Sequence, residues 1–280
     1  MMKGKLAALL LFALLVFPQL ANSDCPAAAR SIYLAAVTGE EDGGIFRLEV
    51  EVRPGNGTVY SSLDPRIGIL TQDSEVRAVD YAFASAGADR KKCDVLFRMV
   101  GDFGGNGVDG PSAGGAMAIA VRAALLNRSI RQDVVMTGAL LPDGRIGEVG
   151  GIIEKSRGAL GAGARYFLVP GMKFHEWVLV SSLPGGGKFG VIEAGNLSFA
   201  ETVLFSDKTA TFEANFTPKN RPLPKNLPPI MMDSDLGRFS LVAKRVVGSL
   251  GAEVGAAALD DGGEEGAALG RYFDYEMGKY

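Results

Sequence analysis

The chain has 280 residues, 47% of them hydrophobic and 22% charged, with a formal net charge of −3. That apolar fraction is enough to build a full core, which excludes a disordered chain, and the slight acidity leaves no electrostatic footprint for nucleic acid or an anionic membrane surface. One histidine and two distant cysteines cannot furnish a usual zinc ligand set, so no metal centre and no cofactor is expected.

Taken in chain order, Lys3 and Lys5 precede an unbroken apolar run over residues 6–17, and small residues follow at Ala21 and Ser23. The run is too short for a spanning helix, which needs roughly 20 residues, and reads as an export signal, with cleavage expected before Asp24. The alternative is an uncleaved anchor, the only case in which a membrane is a partner. Either way the protein is expected to be exported, being secreted or held on the outer side of the cytoplasmic membrane. In such a compartment Cys25 and Cys93 form a disulfide or stay as two buried thiols, and both readings stand because sequence gives no distance between them. Sequons at Asn56, Asn127, Asn196 and Asn215 agree with export.

Residues 31–37 are apolar enough for a strand, and Phe46, Leu48, Val50 and Val52 alternate with Arg47, Glu49 and Glu51 as in a half-buried strand. A turn at Gly55-Asn56-Gly57 leads to a short strand over 58–61. Asp73 is expected to cap a helix over 74–86, whose inward face would carry Val76, Val79, Ala82, Phe83 and Ala86. A strand over 94–100 enters the glycine-rich stretch 101–110, and Pro111 opens an alanine-rich helix reaching about 126. A strand over 134–141, a Pro142-Asp143-Gly144 turn, a helix over 152–160 and a strand over 166–169 follow.

Five of the 13 prolines fall within 218–229, which marks a linker. The expected plan is a signal over 1–23, one domain over 24–212, a proline-rich linker over 213–230 and a helical extension over 231–280. The extension reads as an amphipathic appendage to the main domain, or as a partner-binding helix.

The chemistry concentrates in two glycine-rich blocks. Asp109-Gly110-Pro111-Ser112-Ala113-Gly114-Gly115 places a serine in the first turn of a helix whose next residues are small. Backbone N–H groups and the positive helix end could steady an oxyanion there, although a serine in that position also serves as a plain helix cap. The only histidine, His175, lies in Lys173-Phe174-His175-Glu176-Trp177, which lacks metalloprotease spacing and gives no sign of a Ser-His-Asp triad. A serine without a histidine needs another base. Lys155, in Val149-Gly150-Gly151-Ile152-Ile153-Glu154-Lys155, sits among residues that could desolvate its amine, or it is an exposed helix lysine.

These two blocks resemble the Lon proteases. The first is similar to the signature around their nucleophile. The second, from Thr137-Gly138 through Gly147-Glu148-Val149-Gly150-Gly151 to Lys155, resembles the segment with their catalytic lysine, and the 43-residue spacing is also like theirs. The resemblance covers about residues 31–177 and continues more weakly to about 210. It implies an α/β (α+β) sandwich of mixed β-sheets and helices, with Ser112 as nucleophile and Lys155 as general base of a serine endopeptidase acting through an acyl-enzyme. It further implies supporting roles for Thr137 and Asp109 near the dyad, an oxyanion hole from the Gly110 and Ser112 amides, a peptide or unfolded-protein substrate, and a homo-oligomeric ring of copies such as a hexamer. The chain departs from the family pattern at Val108 and Ala139, and it has no G-x-x-x-x-G-K-[ST] loop, since Gly185-Gly186-Gly187-Lys188 is followed by Phe189. ATP-independent hydrolysis is therefore expected. The competing readings are an inactive binding or scaffold protein that keeps the fold, and a small-molecule phosphotransferase using the glycine-rich loops.

Overall fold

Strands β1 (Ala28–Val37) and β2 (Gly43–Pro54) pair antiparallel along their length, from Ala28 opposite Val52 to Val37 opposite Gly43. The computed structural model in which they lie describes residues 25–38, 42–103, 107–181, 183 and 188–213. The expected signal, the extension, Asn215 and all but the first residue of the linker lie outside the described residues. Strand β3 (Val59–Ser61) runs parallel to β4 (Cys93–Val100), which is antiparallel to β2. On the other side of β1, β5 (Val134–Met136) is parallel to it, and a ribbon of β6 (Ala139–Leu140) and β7 (Ile146–Gly147) stands apart. With β8 (Tyr166–Val169) and β9 (Gly190–Glu193) the main sheet has seven strands in the order β3-β4-β2-β1-β5-β8-β9.

The alternation of side chains divides two cores. Ile32, Leu34, Leu48, Met136 and Leu168 face helices α1 (Ile69–Ala86) and α2 (Gly114–Leu125). Ala35, Val135, Phe167 and Val169 face the opposite way, toward α3 (Ile152–Gly161) and α4 (Phe174–Ser181). Helix α5 (Leu197–Leu204) joins the first core. Beyond Ile45, the second face of β2 carries Arg47 and Glu49, ion-paired at 2.7 Å, with Arg98 of β4 bonded to the same Glu49 at 3.3 Å. The parallel half is thus covered on both faces, while the antiparallel half keeps a polar one. This is the mixed α/β sandwich expected from the sequence.

Every residue of α2 from Gly114 to Val121 is buried, which its small side chains allow. A Cβ on Gly115 would lie 2.9 Å from Met136 Cε and 3.2 Å from the Gly138 carbonyl, so the helix start and the β5 end touch through backbone. Cys25 and Cys93 are bridged, with Cα atoms 5.4 Å apart, joining the segment before β1 to the start of β4.

Three local expectations need correction. Helix α1 starts at Ile69, five residues before the expected start, and its first turn is capped from afar: Asp109 Oδ1 accepts from Leu70 N at 2.9 Å and Thr71 N at 3.3 Å. Asp73 instead lies within the helix, near Arg77. Its inward face includes Glu75, 3% exposed, whereas Val76, expected inside, is 43% exposed. The expected strand over 134–141 breaks at Gly138, whose φ of 151° turns the chain out of the main sheet and into the β6–β7 ribbon. Asn196 caps α5, an element not expected from the sequence, by accepting from Phe199 N at 2.9 Å.

Candidate active site

Ser112 is the middle residue of a 3-10 turn, Pro111–Ala113, that runs directly into α2. Proline suits the start of this turn because it lacks an N–H that would need a partner. The chain arrives through Gly110 at φ 144° and ψ 158°, a conformation open to glycine alone, although no atom stands within 4 Å of where a Cβ would be. The turn is strapped to the end of β5: the Ser112 carbonyl accepts from Gly138 N at 2.7 Å and from Thr137 Oγ1 at 3.4 Å. Gly115 N returns a bond to the Gly138 carbonyl at 3.0 Å. Thr137, 1% exposed, therefore supports the serine through its carbonyl.

Lys155 stands on the first turn of α3, which enters through Gly151 at φ 70°. The helix lies against the start of β2 at a glycine contact, since a Cβ on Gly158 would be 2.4 Å from the Gly43 carbonyl and one on Gly43 would be 2.1 Å from the Glu154 carbonyl. That close approach leaves Lys155 only 4% exposed. Its Nζ donates to the Gly150 carbonyl at 2.9 Å, within its own helix-entry loop. Burial pushes the ammonium down from 10.5 to about 8, against a smaller opposing pull from Glu154. At pH 7 about a tenth of the amine is then unprotonated and can accept a proton, far more than for an ordinary lysine.

Ser112 and Lys155 line one cleft of about 690 Å³ between the two blocks, with Phe46, Met99 and Phe103 among its apolar walls. The Phe46 and Phe103 rings are stacked, with centroids 4.2 Å apart. Asp109 and Gly110 border the same cleft, yet both are engaged with α1. Asp109 caps the helix, as described above, and Gly110 N donates to Thr71 Oγ1 at 3.1 Å. The Gly110 amide is thus turned to α1 in this arrangement, and of the two expected oxyanion donors only the Ser112 amide belongs to the turn that opens α2. His175 lies on α4. Among the described residues no cluster of three or more His, Cys, Asp or Glu could hold a metal ion.

Thr71 and the Gly150 carbonyl were not singled out by sequence reasoning. A helix entry of the form Gly-Gly-x-x-x-Lys could have suggested a carbonyl within reach of the amine, but nothing near Thr71 in the chain points to residues 108–110.

Comparison with known proteins agrees with the fold. Residues 36–179 match the Lon protease (S16) C-terminal proteolytic domain. Lon protease 2 of Herpetosiphon aurantiacus is 36% identical over 140 residues, 48% of this chain and 17% of that protein. Lon protease 1 of Sorangium cellulosum is 35% identical over 153 residues, 52% of this chain and 18% of that protein. A shorter stretch of 62 residues is 47% identical to the Lon protease of Desulfatibacillum aliphaticivorans and covers 8% of it. The chain thus spans less than a fifth of the length of these relatives, but the match over half of its own residues places it in the Lon protease (S16) C-terminal proteolytic domain family.

Proposed function

We propose that the chain is a serine endopeptidase in which Ser112 attacks the peptide bond and Lys155 is its base. The observation that carries this reading is the opening of the Ser112 turn and the buried, depressed Lys155 amine onto one cleft. The Gly150 carbonyl holds one N–H of the neutral amine, leaving its lone pair for the Ser112 proton. The Ser112 oxygen then bonds to the substrate carbonyl carbon, and the Ser112 amide and the helix N-terminus steady the oxyanion. Lys155 passes its proton to the leaving amine as the C–N bond breaks. It next takes a proton from water, whose oxygen bonds to the acyl carbon; the bond to Ser112 Oγ then breaks and Lys155 returns the proton to that oxygen, so one base serves both halves.

Hydrolysis needs no nucleotide on this reading, because the chain has no P-loop motif. Flexible or unfolded polypeptides are the expected substrates, since the given sequence carries no nucleotide-binding loop to drive unfolding of a stable protein. The Cys25–Cys93 bridge supports work in an oxidising, extracytoplasmic compartment. The test is intact-protein mass spectrometry after a serine-reactive acylating probe, together with cleavage of an unstructured peptide with and without ATP. One adduct, absent in Ser112→Ala, and ATP-independent cleavage are expected. A requirement for ATP, or labelling that survives Ser112→Ala, would count against it. N-terminal sequencing of exported material should start at or near Asp24.

A further inference from the structure

The loop leading to Ser112 is clasped by the segment that starts α1, through a ladder of contacts about 40 residues apart in sequence. Val108 N donates to the Arg66 carbonyl and Gly68 N to the Val108 carbonyl, both at 2.8 Å, and Asp109 then caps the helix. The last rung is a single side chain. Thr71 Oγ1 accepts from Gly110 N at 3.1 Å and lies 3.2 Å from the Gly110 carbonyl and 3.4 Å from the Val108 carbonyl, either of which can receive its proton. Thr71 is 0% exposed, so no water stands ready to replace it.

We propose that Thr71 is a positioning residue for Ser112, fixing the Gly110 peptide from which the nucleophile turn springs. The inference rests on the peptidase reading above. Gly110 has no Cβ to restrict it and occupies a region of backbone space that glycine enters and leaves freely. Without a hydroxyl reaching the peptide groups on both sides of Gly110, the residue before Pro111 would sample other conformations and carry Ser112 with it. A nucleophile displaced by about 1 Å can lose on the order of 100-fold in rate. Thr71 touches no reacting atom, so its effect should fall on the geometry of Ser112 and leave the Lys155 titration alone.

The test compares Thr71→Val, of similar shape without the hydroxyl, with Thr71→Ser, which keeps it, on the full chain. Thr71→Val should lower kcat for an unstructured peptide about tenfold or more with little change in KM, and slow acylation by the serine-reactive probe in proportion. Thr71→Ser should recover most of the loss, and the pH midpoint of activity should be the same in all three proteins. Exchange of the Gly110 amide should become faster in Thr71→Val. If Thr71→Val does not fold, Thr71→Ala replaces it in the same comparison. Wild-type kcat in a folded variant without the hydroxyl, or equal losses in Thr71→Ser and Thr71→Val, would overturn the proposal while an inactive Ser112→Ala leaves the peptidase reading standing. Unchanged hydrolysis in Ser112→Ala would remove the peptidase reading, and this proposal with it.

Discussion

Lys155 on α3 and Glu75 on α1 are two ionisable residues buried on opposite sides of one sheet, 4% and 3% exposed. Burial dominates both, pushing the ammonium down to about 8 and the carboxyl up from 4.5 to about 7. Each has one hydrogen-bonding neighbour close by: the Gly150 carbonyl accepts from Lys155 at 2.9 Å, and Ser61 donates to Glu75 at 2.8 Å. Each also borders a cavity. The difference lies in what shares the space. Lys155 shares its cleft with a serine at the mouth of a helix, reached through glycine, whereas Ser61 closes an edge strand and offers Glu75 no helix N-terminus for a developing charge. A perturbed titration therefore marks desolvation, and on the proposed reading it is the serine sharing the cleft that would turn it into chemistry.

The sharpest way to break that contrast is to remove each pair in turn. If the two act as a unit, as proposed, Ser112→Ala, Lys155→Ala and the double variant should fall to nearly the same residual rate, at least about 1,000-fold below wild type. Glu75→Gln should cleave an unstructured peptide at near wild-type kcat. Additive losses in the Ser112 and Lys155 series would dissolve the dyad, and a comparable loss in Glu75→Gln would erase the distinction between the two sites.

The pH dependence separates them next. Activity should rise as Lys155 loses its proton, with a midpoint near the depressed value of about 8. Replacing His175 or Glu75 should leave that midpoint where it is. A kcat profile in Glu75→Gln displaced by a full unit would show that the carboxyl acts on the cleft after all.

The turns that carry Ser112 and Lys155 were legible in the sequence because they are local, being dictated by glycines and a proline within a few residues, whereas the pairing of the two as a dyad rested on the family resemblance. The strand pattern of β2 was legible for the same reason, its alternation being written along one segment. What stayed hidden depends on distant partners. The start of α1 was missed because its cap, Asp109, comes from the other end of a clasp, and the direction of the Gly110 amide because Thr71 sets it. Glu75 was invisible because apolar spacing put Val76 inside. The fold instead rotates the helix so that a carboxyl lies beneath β3, bonded to Ser61. The break at Gly138 could not be read from a continuous apolar run whose two parts enter different sheets.

Stability should carry opposite pH signatures for the two groups. Glu75 has a raised value in the fold, so its cost is absent below about 4.5, grows as pH rises and is complete above about 7. Lys155 has a lowered value, so its cost is complete below about 8 and disappears above about 10.5. Each cost is roughly 3 to 4 kcal/mol at its full extent. Glu75→Gln should therefore raise the unfolding free energy at pH 8 and change it little at pH 4, whereas Lys155→Met should raise it at pH 6 and lose the advantage by pH 11. Denaturant unfolding at these pH values decides the matter. A pH-independent gain in either variant would assign the effect to packing.

The smallest effect expected is that of Ser61→Ala, and it tests whether the one bond that Glu75 receives acts on its charged form. The Ser61 hydroxyl donates to Glu75 Oε1 at 2.8 Å and pulls the carboxyl down, against the larger push of burial. A donor to a carboxylate is worth more than a donor to a neutral acid, by about 1 kcal/mol. Removing it should therefore destabilise the fold more at pH 8, where Glu75 is ionised, than at pH 4.5, where it is protonated in the fold. In the Glu75→Gln background that pH dependence should vanish, since glutamine has no charge for the hydroxyl to favour. Equal costs of Ser61→Ala at both pH values would mean that the serine merely fills space at the β3 edge, leaving burial alone to set the Glu75 titration.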